Sequence, residues 1–442
     1  MPVLRHPAQI IVGGFAFAIL VGTLLLLLPV STTDEAAATP LTALFTATSA
    51  ICVTGLILVD TETHWSTFGE IVLMALVQVG GLGIMTLATL FALLVSGRVG
   101  LRARLLAQAE TKTLSASDVR RVVRNVVIFS LVSEALLTAV LTLRFMLGYG
   151  EGFGRALYLG AFHAVSAFNN AGFALWPDSL VRFAADVWIF LPIALAVVIG
   201  GLGFPVVFEL ARSWRRPSRW SVLTRITLGV TVTLLVLGTA TFTIFEWNNP
   251  GTFGALPQSQ RVAAGFFTAV MPRSGGFNLI AIEEMRSESW LVTDILMFIG
   301  GGSAGTAGGI KVTTFGLLAF VIWAELRGED QVNVGHRRVP GSVQRQALTI
   351  ALLGVGLVAA GTFALLSISR LTLDQAVFEV ISAFGTVGLS LGATTSVPTS
   401  GQAILVALMF IGRVGPVMLF SALAMRERTR HYELPEERPI VG

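Results

Sequence analysis

The eight residues SAFGTVGL, Ser382 to Leu389, recur along this chain in loosened form as SAICVTGL (49–56), SAFNNAGF (166–173) and MPRSGGFN (271–278). Each copy holds a glycine followed by Leu or Phe. These glycines are Gly55, Gly172, Gly276 and Gly388, spaced 117, 104 and 112 residues apart. A second motif follows each one: VGGLG from Val79, IGGLG from Ile199, IGGGS from Ile299 and IGRVG from Ile411. The interval from the first glycine to the first Gly of the second motif is 25, 28, 24 and 24 residues. Two motifs returning four times at a held spacing define an internal repeat, and the repeat decides the architecture.

The medium of the fold follows from composition. The chain has 442 residues, 54% apolar and 13% charged, where a soluble domain is about a quarter charged. Mean hydropathy is +0.78. Apolar runs long enough to cross a bilayer fall near 8–30, 69–95, 122–148, 186–210, 222–246, 291–324, 346–368 and 401–424. The first run follows Arg5 but is too long for a signal-peptide core, so it reads as a retained span. Eight spans put both termini on one side. Of the 30 Lys and Arg, 21 lie at the termini and in loops 96–125, 211–225 and 325–345. Six lie opposite: Arg144, Arg155, Arg182, Arg261, Arg286 and Arg370. The positive-inside rule makes both termini cytoplasmic in a multi-pass protein of the cell membrane. The same placement explains the basic pI, so a nucleic-acid partner has no support and the lipid bilayer is the expected surroundings. A single cysteine, Cys52, excludes an internal disulfide, and the five histidines form no HExxH.

Between the spans of each repeat lies a shorter apolar segment, near 41–52, 157–169, 259–271 and 374–385. These are too short to cross and read as re-entrant half-helices. The glycine turn after each must be buried in protein or line an aqueous cavity, because lipid cannot bond exposed backbone. Four such turns around one axis aim carbonyl oxygens at a dehydrated alkali cation. Glycine supplies the dihedrals and leaves the carbonyls unobstructed. No Asp or Glu sits in the four turns, which favours K+ over Ca2+ and over anions. The fold class is therefore an all-α polytopic membrane protein with a pseudo-fourfold central pore. The repeats span 1–95, 122–210, 222–326 and 346–425, joined by cytoplasmic segments 96–121, 211–221 and 327–345 and followed by a tail at 426–442. All four units run in one orientation, which argues for an axial gated pore over a rocking transporter.

On these motifs, together with GGSAGTAGGIK and IGRVGP, the chain resembles the Trk/Ktr/HKT superfamily of K+ transporters over essentially its whole length. Eight spans without an added N-terminal pair are most similar to a Ktr-type membrane subunit. The resemblance implies a selectivity filter at Val53-Thr54-Gly55, Asn170-Ala171-Gly172, Ser274-Gly275-Gly276 and Thr386-Val387-Gly388, binding K+ through backbone carbonyls. Glycine at all four filter positions implies K+ rather than Na+. It implies a gate in the broken third unit: Gly300, Gly301, Gly302, Ser303, Gly305, Thr306, Gly308 and Gly309, ending at Lys311, with Arg413 as the pore arginine. It further implies a homodimer docked on a cytosolic ring of nucleotide-binding regulatory subunits, with loops 96–125 and 211–225 and the tail as candidate docking surfaces. A Na+-coupled K+ symporter of the same fold is the alternative.

Other residues admit more than one role. Lys311 either anchors the gate loop or snorkels to the cytoplasmic surface, and Arg413 is expected to anchor the loop or set a barrier. Arg273 is expected to brace the third turn from behind. Asn169 and Asn170 are expected to tie their turn to its neighbours. Glu134 and Glu379 are either coupling sites or interhelical hydrogen-bond acceptors. Gly301 to Gly305 matches GxSxG, the basis for a remote serine-protease alternative, with His163 the one histidine in the membrane pattern. Gly300 to Gly305 also matches GxGxxG but lacks a βαβ context, and GTAGGIK lacks a Walker ending, so no nucleotide site is expected in this chain.

Overall fold

The structure, a computed structural model, describes residues 7–33, 37–98, 116–335 and 337–415. Four units follow one another, each with a first helix, a short helix, a turn and a second helix. The first unit holds α1 (Pro7–Leu26), α2 (Pro40–Ile51) and α3 (Thr67–Arg98). The second holds α4 (Ala116–Tyr149), α5 (Phe153–Phe168), α6 (Val187–Leu202) and α7 (Phe204–Ser213). The third holds α8 (Val222–Glu246), α9 (Gln258–Val270), α10 (Ser287–Ile299) and α11 (Val312–Leu326). The fourth holds α12 (Gly341–Ile368), α13 (Leu373–Gly385) and α14 (Thr399–Val414). A two-residue hairpin, Asn333–Val334 with Arg337–Arg338, lies between the last two units. Leu20, Leu24, Leu136, Val236, Leu352 and Phe363 are exposed on the first helices, the apolar outer surface that a bilayer would cover.

Local chemistry explains how the short helices begin and end. Thr39 accepts the Thr42 N–H at 3.2 Å to start α2, with Pro40 where no N–H is needed. Thr372 and Gln375 form a reciprocal capping box that starts α13. All four short helices run into a non-glycine residue in the left-handed region: Val53 (φ 55°), Asn170 (61°), Ser274 (70°) and Thr386 (48°). For β-branched Val53 and Thr386 this conformation is strained, by about 1–3 kcal/mol each. A serine six residues before the turn glycine holds three of the turns. Ser49 and Ser382 hydroxyls accept the N–H of Gly55 (3.0 Å) and Gly388 (3.1 Å), and Ser166 donates to Phe173 O at 2.7 Å. The third unit has Val270 there, and the Met271 carbonyl takes the N–H groups of Gly275 and Gly276 instead.

Packing closes the units into a ring. Each short helix lies against the first helix of its own unit. Each also lies against the second helix of the unit before it: α3 on α5, α6 on α9, α10 on α13, and α14 on α2. The second glycine motif serves a further packing, of the second helix on the short helix of its own unit. A Cβ on Gly80, Gly200 or Gly412 would lie 2.1, 2.1 and 1.9 Å from the carbonyl oxygens of Ile51, Phe168 and Phe384. Gly412→Ala is therefore expected to destabilise the protein by about 1–3 kcal/mol through overpacking. A clear fall in the thermal midpoint in detergent would register it, and an unchanged midpoint would refute the packing role.

The second helices depart from the expected spans. The segment expected as one span at 186–210 bends by 99° at Gly203, between α6 and α7. Gly203 is left-handed at φ 92°, and Pro205 lies in the first turn of α7. The span expected to reach 424 leaves the helix at Gly415 (φ 90°), and residues beyond it lie outside those described. Both breaks follow a glycine with proline one or two positions on, a stop signal absent after Gly83, where α3 runs on to Arg98. The helix expected from 122 begins at Ala116. Residues 99–115 of the basic loop and the whole tail at 426–442 lie outside the described residues.

Candidate functional site

The four turns meet. A Cβ on Gly55 would lie 2.3 Å from Ala171 O; one on Gly172, 3.2 Å from Gly275 O; one on Gly276, 2.6 Å from Val387 O; one on Gly388, 2.2 Å from Thr54 O. Each glycine thus faces the carbonyl of the residue preceding the next glycine, and the fourth faces the first. All four glycines have positive φ, at 88°, 72°, 73° and 92°. A side chain at any of them would be strained by its own backbone and would strike a neighbouring carbonyl. On one side the ring opens into a cavity of about 230 Å³ whose lining includes Gly55, Gly172, Gly276 and Gly388. The expected turn residues are therefore brought together: Val53, Asn170, Ser274 and Thr386 enter the turns, and Thr54, Ala171, Gly275 and Val387 present their carbonyls.

The segment 300–311 lies between α10 and α11 as irregular backbone on the other side of the turns. Gly300 (φ 65°), Ala304 (60°) and Gly309 (68°) turn it. It is bound to the second unit at the bend: Gly302 N–H donates to Gly201 O at 2.7 Å, Thr306 N–H to Gly200 O at 3.2 Å, and Phe204 N–H to Ala304 O at 3.3 Å. It is also bound to the turns. Thr306 Oγ1 donates to Asn170 Oδ1 at 2.8 Å. Ser274 Oγ accepts the Gly308 N–H at 3.2 Å while donating to Thr386 O at 2.6 Å. A Cβ on Gly308 would lie 1.9 Å from Thr386 Oγ1.

Two buried arginines, Arg413 and Arg273, bond this segment from outside it. Arg413 is 4% exposed; its Nη1 donates to Thr306 O and its Nη2 to Gly80 O at 3.0 Å. Lys311, partly buried, donates from Nζ to Ala307 O within the same segment. Arg273 stands behind the third turn, donating to Gly300 O at 3.3 Å and to Thr231 Oγ1 at 3.1 Å. The buried carboxylates take hydrogen bonds from neutral groups. Glu134 Oε1 accepts from Ser130, Gln78 and Asn169 at 2.6, 3.0 and 3.1 Å. Glu379 accepts from Ser390, from Thr394 Oγ1 at 2.6 Å and from Leu391 N–H at 3.3 Å.

The structure separates the protease motif from its base. Ser303 Oγ bonds Thr313 Oγ1 at 2.7 Å. Both nitrogens of His163 are taken by backbone, Nδ1 by Leu159 O and Nε2 by Leu175 N–H. Sequence reasoning missed two features. One is the bend at Gly203 that receives residues 302–306, whose signal was Gly203-Phe204-Pro205. The other is Ser274, which joins the third turn, the fourth turn and the segment; a lone serine in a glycine-rich stretch gives no warning of that.

A family model described as cation transport protein, TrkH, matches residues 4–429. Ktr system potassium uptake protein B of Bacillus subtilis is 39% identical over 439 residues, covering 99% of this chain and 97% of that protein. Potassium/sodium uptake protein NtpJ of Enterococcus hirae is 33% identical over 446 residues, covering 99% and 97%. The crystal structure of the potassium transporter TrkH from Vibrio parahaemolyticus matches with a TM-score of 0.78 at 17% identity, over 96% of this chain and 86% of that one, a likeness of fold. These proteins are named for transport rather than catalysis, and this chain is a transporter rather than an enzyme. With a family model spanning nearly its whole length, the chain belongs to the TrkH family of cation transport proteins.

Proposed function

We propose that this chain carries K+ across the cytoplasmic membrane through the ring of four glycine turns. The observation that supports the reading best is the cyclic arrangement in which the carbonyls of Thr54, Ala171, Gly275 and Val387 each face the neighbouring glycine. Carbonyl oxygens without any carboxylate replace the water shell of a monovalent cation. The names of the relatives, potassium uptake proteins, point the same way. Segment 300–311 acts as the gate beneath the filter, and Lys311 and Arg413 hold it closed. The termini face the cytoplasm. Two copies pair and dock on a cytosolic ring of nucleotide-binding subunits, since the chain carries no nucleotide motif and a similar protein is named for a Ktr system. Loops 96–125 and 211–225 and the charged tail at 425–442 are the docking candidates.

A second reading, Na+-coupled K+ uptake on the same fold, is favoured by the potassium/sodium name of the Enterococcus hirae relative. One experiment separates them. The purified chain in liposomes takes up radiolabelled Rb+ under an inside-negative potential, with and without external Na+. Uptake that K+ competes away and Na+ leaves unchanged is the expected result. Uptake that requires Na+ establishes coupling instead. No uptake with or without a cytosolic partner rejects the transport reading.

A further inference from the structure

Nine residues before each turn glycine stand Thr46, His163, Phe267 and Glu379. Three residues after each glycine stands a leucine: Leu58, Leu175, Leu279 and Leu391. In the second and fourth units these two places are hydrogen-bonded. Leu175 N–H donates to His163 Nε2 at 3.3 Å, and Leu391 N–H donates to Glu379 Oε1 at 3.3 Å. Both side chains are completely buried in their short helices. His163 is held in one tautomer, because Leu159 O can only accept its Nδ1–H, at 2.7 Å, and Leu175 N can only donate to Nε2. Its ring stacks on Trp176 with centroids 4.3 Å apart. Glu379 also gathers Ser390 and Thr394, which line the cavity above the ring. The other two units lack the contact: Phe267 has no polar side-chain atom, and Thr46 Oγ1 is buried without a partner among the described residues.

Two unlike residues therefore do one job at equivalent places in opposite units. We propose that His163 and Glu379 are positioning residues for ion selectivity, clamping the outgoing strands of the second and fourth turns and so fixing the spacing of the carbonyl ring. The inference rests on the transport reading above. The strand they hold runs directly from Gly172 and Gly388. Freeing a buried N–H at the third residue loosens the strand and leaves that N–H unpaired. In the first and third units the strand stands without such a clamp, so the ring is fixed from two opposite sides.

The test uses the full chain. His163→Phe installs the residue of the third unit and keeps a ring against Trp176. Glu379→Leu removes the acceptor, and Glu379→Gln keeps a carbonyl for Leu391 N–H. The ratio of Rb+ to Na+ uptake is expected to fall about fivefold in His163→Phe and Glu379→Leu, and to stay near the parent in Glu379→Gln. A ratio unchanged in both removals overturns the clamp, as does a loss in Glu379→Gln equal to that in Glu379→Leu. Hydrogen exchange by mass spectrometry on the purified chain is an independent reading. Exchange at 171–177 is expected to quicken in His163→Phe, and at 386–394 in Glu379→Leu; protection equal to the parent overturns the clamp. If the parent chain moves no cation with or without a cytosolic partner, the transport reading falls, while hydrogen exchange still decides whether these residues hold the strands.

Discussion

On the proposed filter, Gly388→Ala is expected to lower the ratio of Rb+ to Na+ uptake by at least about tenfold. Two costs coincide at this position. The backbone lies at φ 92°, which an L side chain rarely adopts. The added Cβ would lie 2.2 Å from Thr54 O and 3.1 Å from Gly55 Cα, backbone atoms that cannot swing aside. Relief requires the fourth turn to move away from the first, which opens the carbonyl ring. Gly276→Ser makes the same demand between the third turn and its neighbours, with the Cβ 2.6 Å from Val387 O and 2.7 Å from Gly172 Cα. Uptake measured with both radiolabelled ions in liposomes checks the pair. A folded Gly388→Ala protein with the parent's ratio would show that the turns are packing elements.

On the proposed gate, Arg413→Gln is expected to raise the flux of the chain alone by about tenfold or more. The guanidinium joins Thr306 O, in the irregular segment, to Gly80 O in the first unit. Hydrogen bonds from a charged donor contribute roughly 1.5–3 kcal/mol each, and their loss removes a tether from the proposed gate segment. Removing the positive charge also lowers the barrier to a cation. Arg413→Lys separates these effects, since it keeps the charge but cannot reach two carbonyls with one planar fork. Flux that rises in both variants assigns the effect to the tether, and flux that rises only in Gln assigns it to charge. A fall in flux in Gln, with the protein folded, would remove Arg413 from gating.

Much of the site is legible because its determinants are short-range. A glycine that must take positive φ and an apolar helix too short to cross a bilayer lie side by side in one short stretch and return four times, and a serine six residues before the glycine accompanies three of them. The bracing roles expected for Arg273, Asn169 and Asn170 follow from their places beside those turns, and the contacts they make are of that kind. Less was legible where a residue's partner lies in another unit. Thr306 meets Asn170 across 136 positions and Arg413 meets Gly80 across 333.

The amino-acid sequence by itself determined the four units, their common orientation, the apolar spans and the glycine turns, because periodicity, chirality and the need to bury or hydrate backbone act along the chain. Tertiary structure decided how the four units differ. Gly203 bends α6 into α7, and residues 302–306 occupy the bend, where the N–H groups of Gly302 and Thr306 find acceptors in the carbonyls of Gly201 and Gly200. Likewise, His163 and Glu379 become equivalent only when the folded turn brings a leucine N–H to each. A hydrogen bond depends on where a donor ends up, and residue type alone does not carry that information.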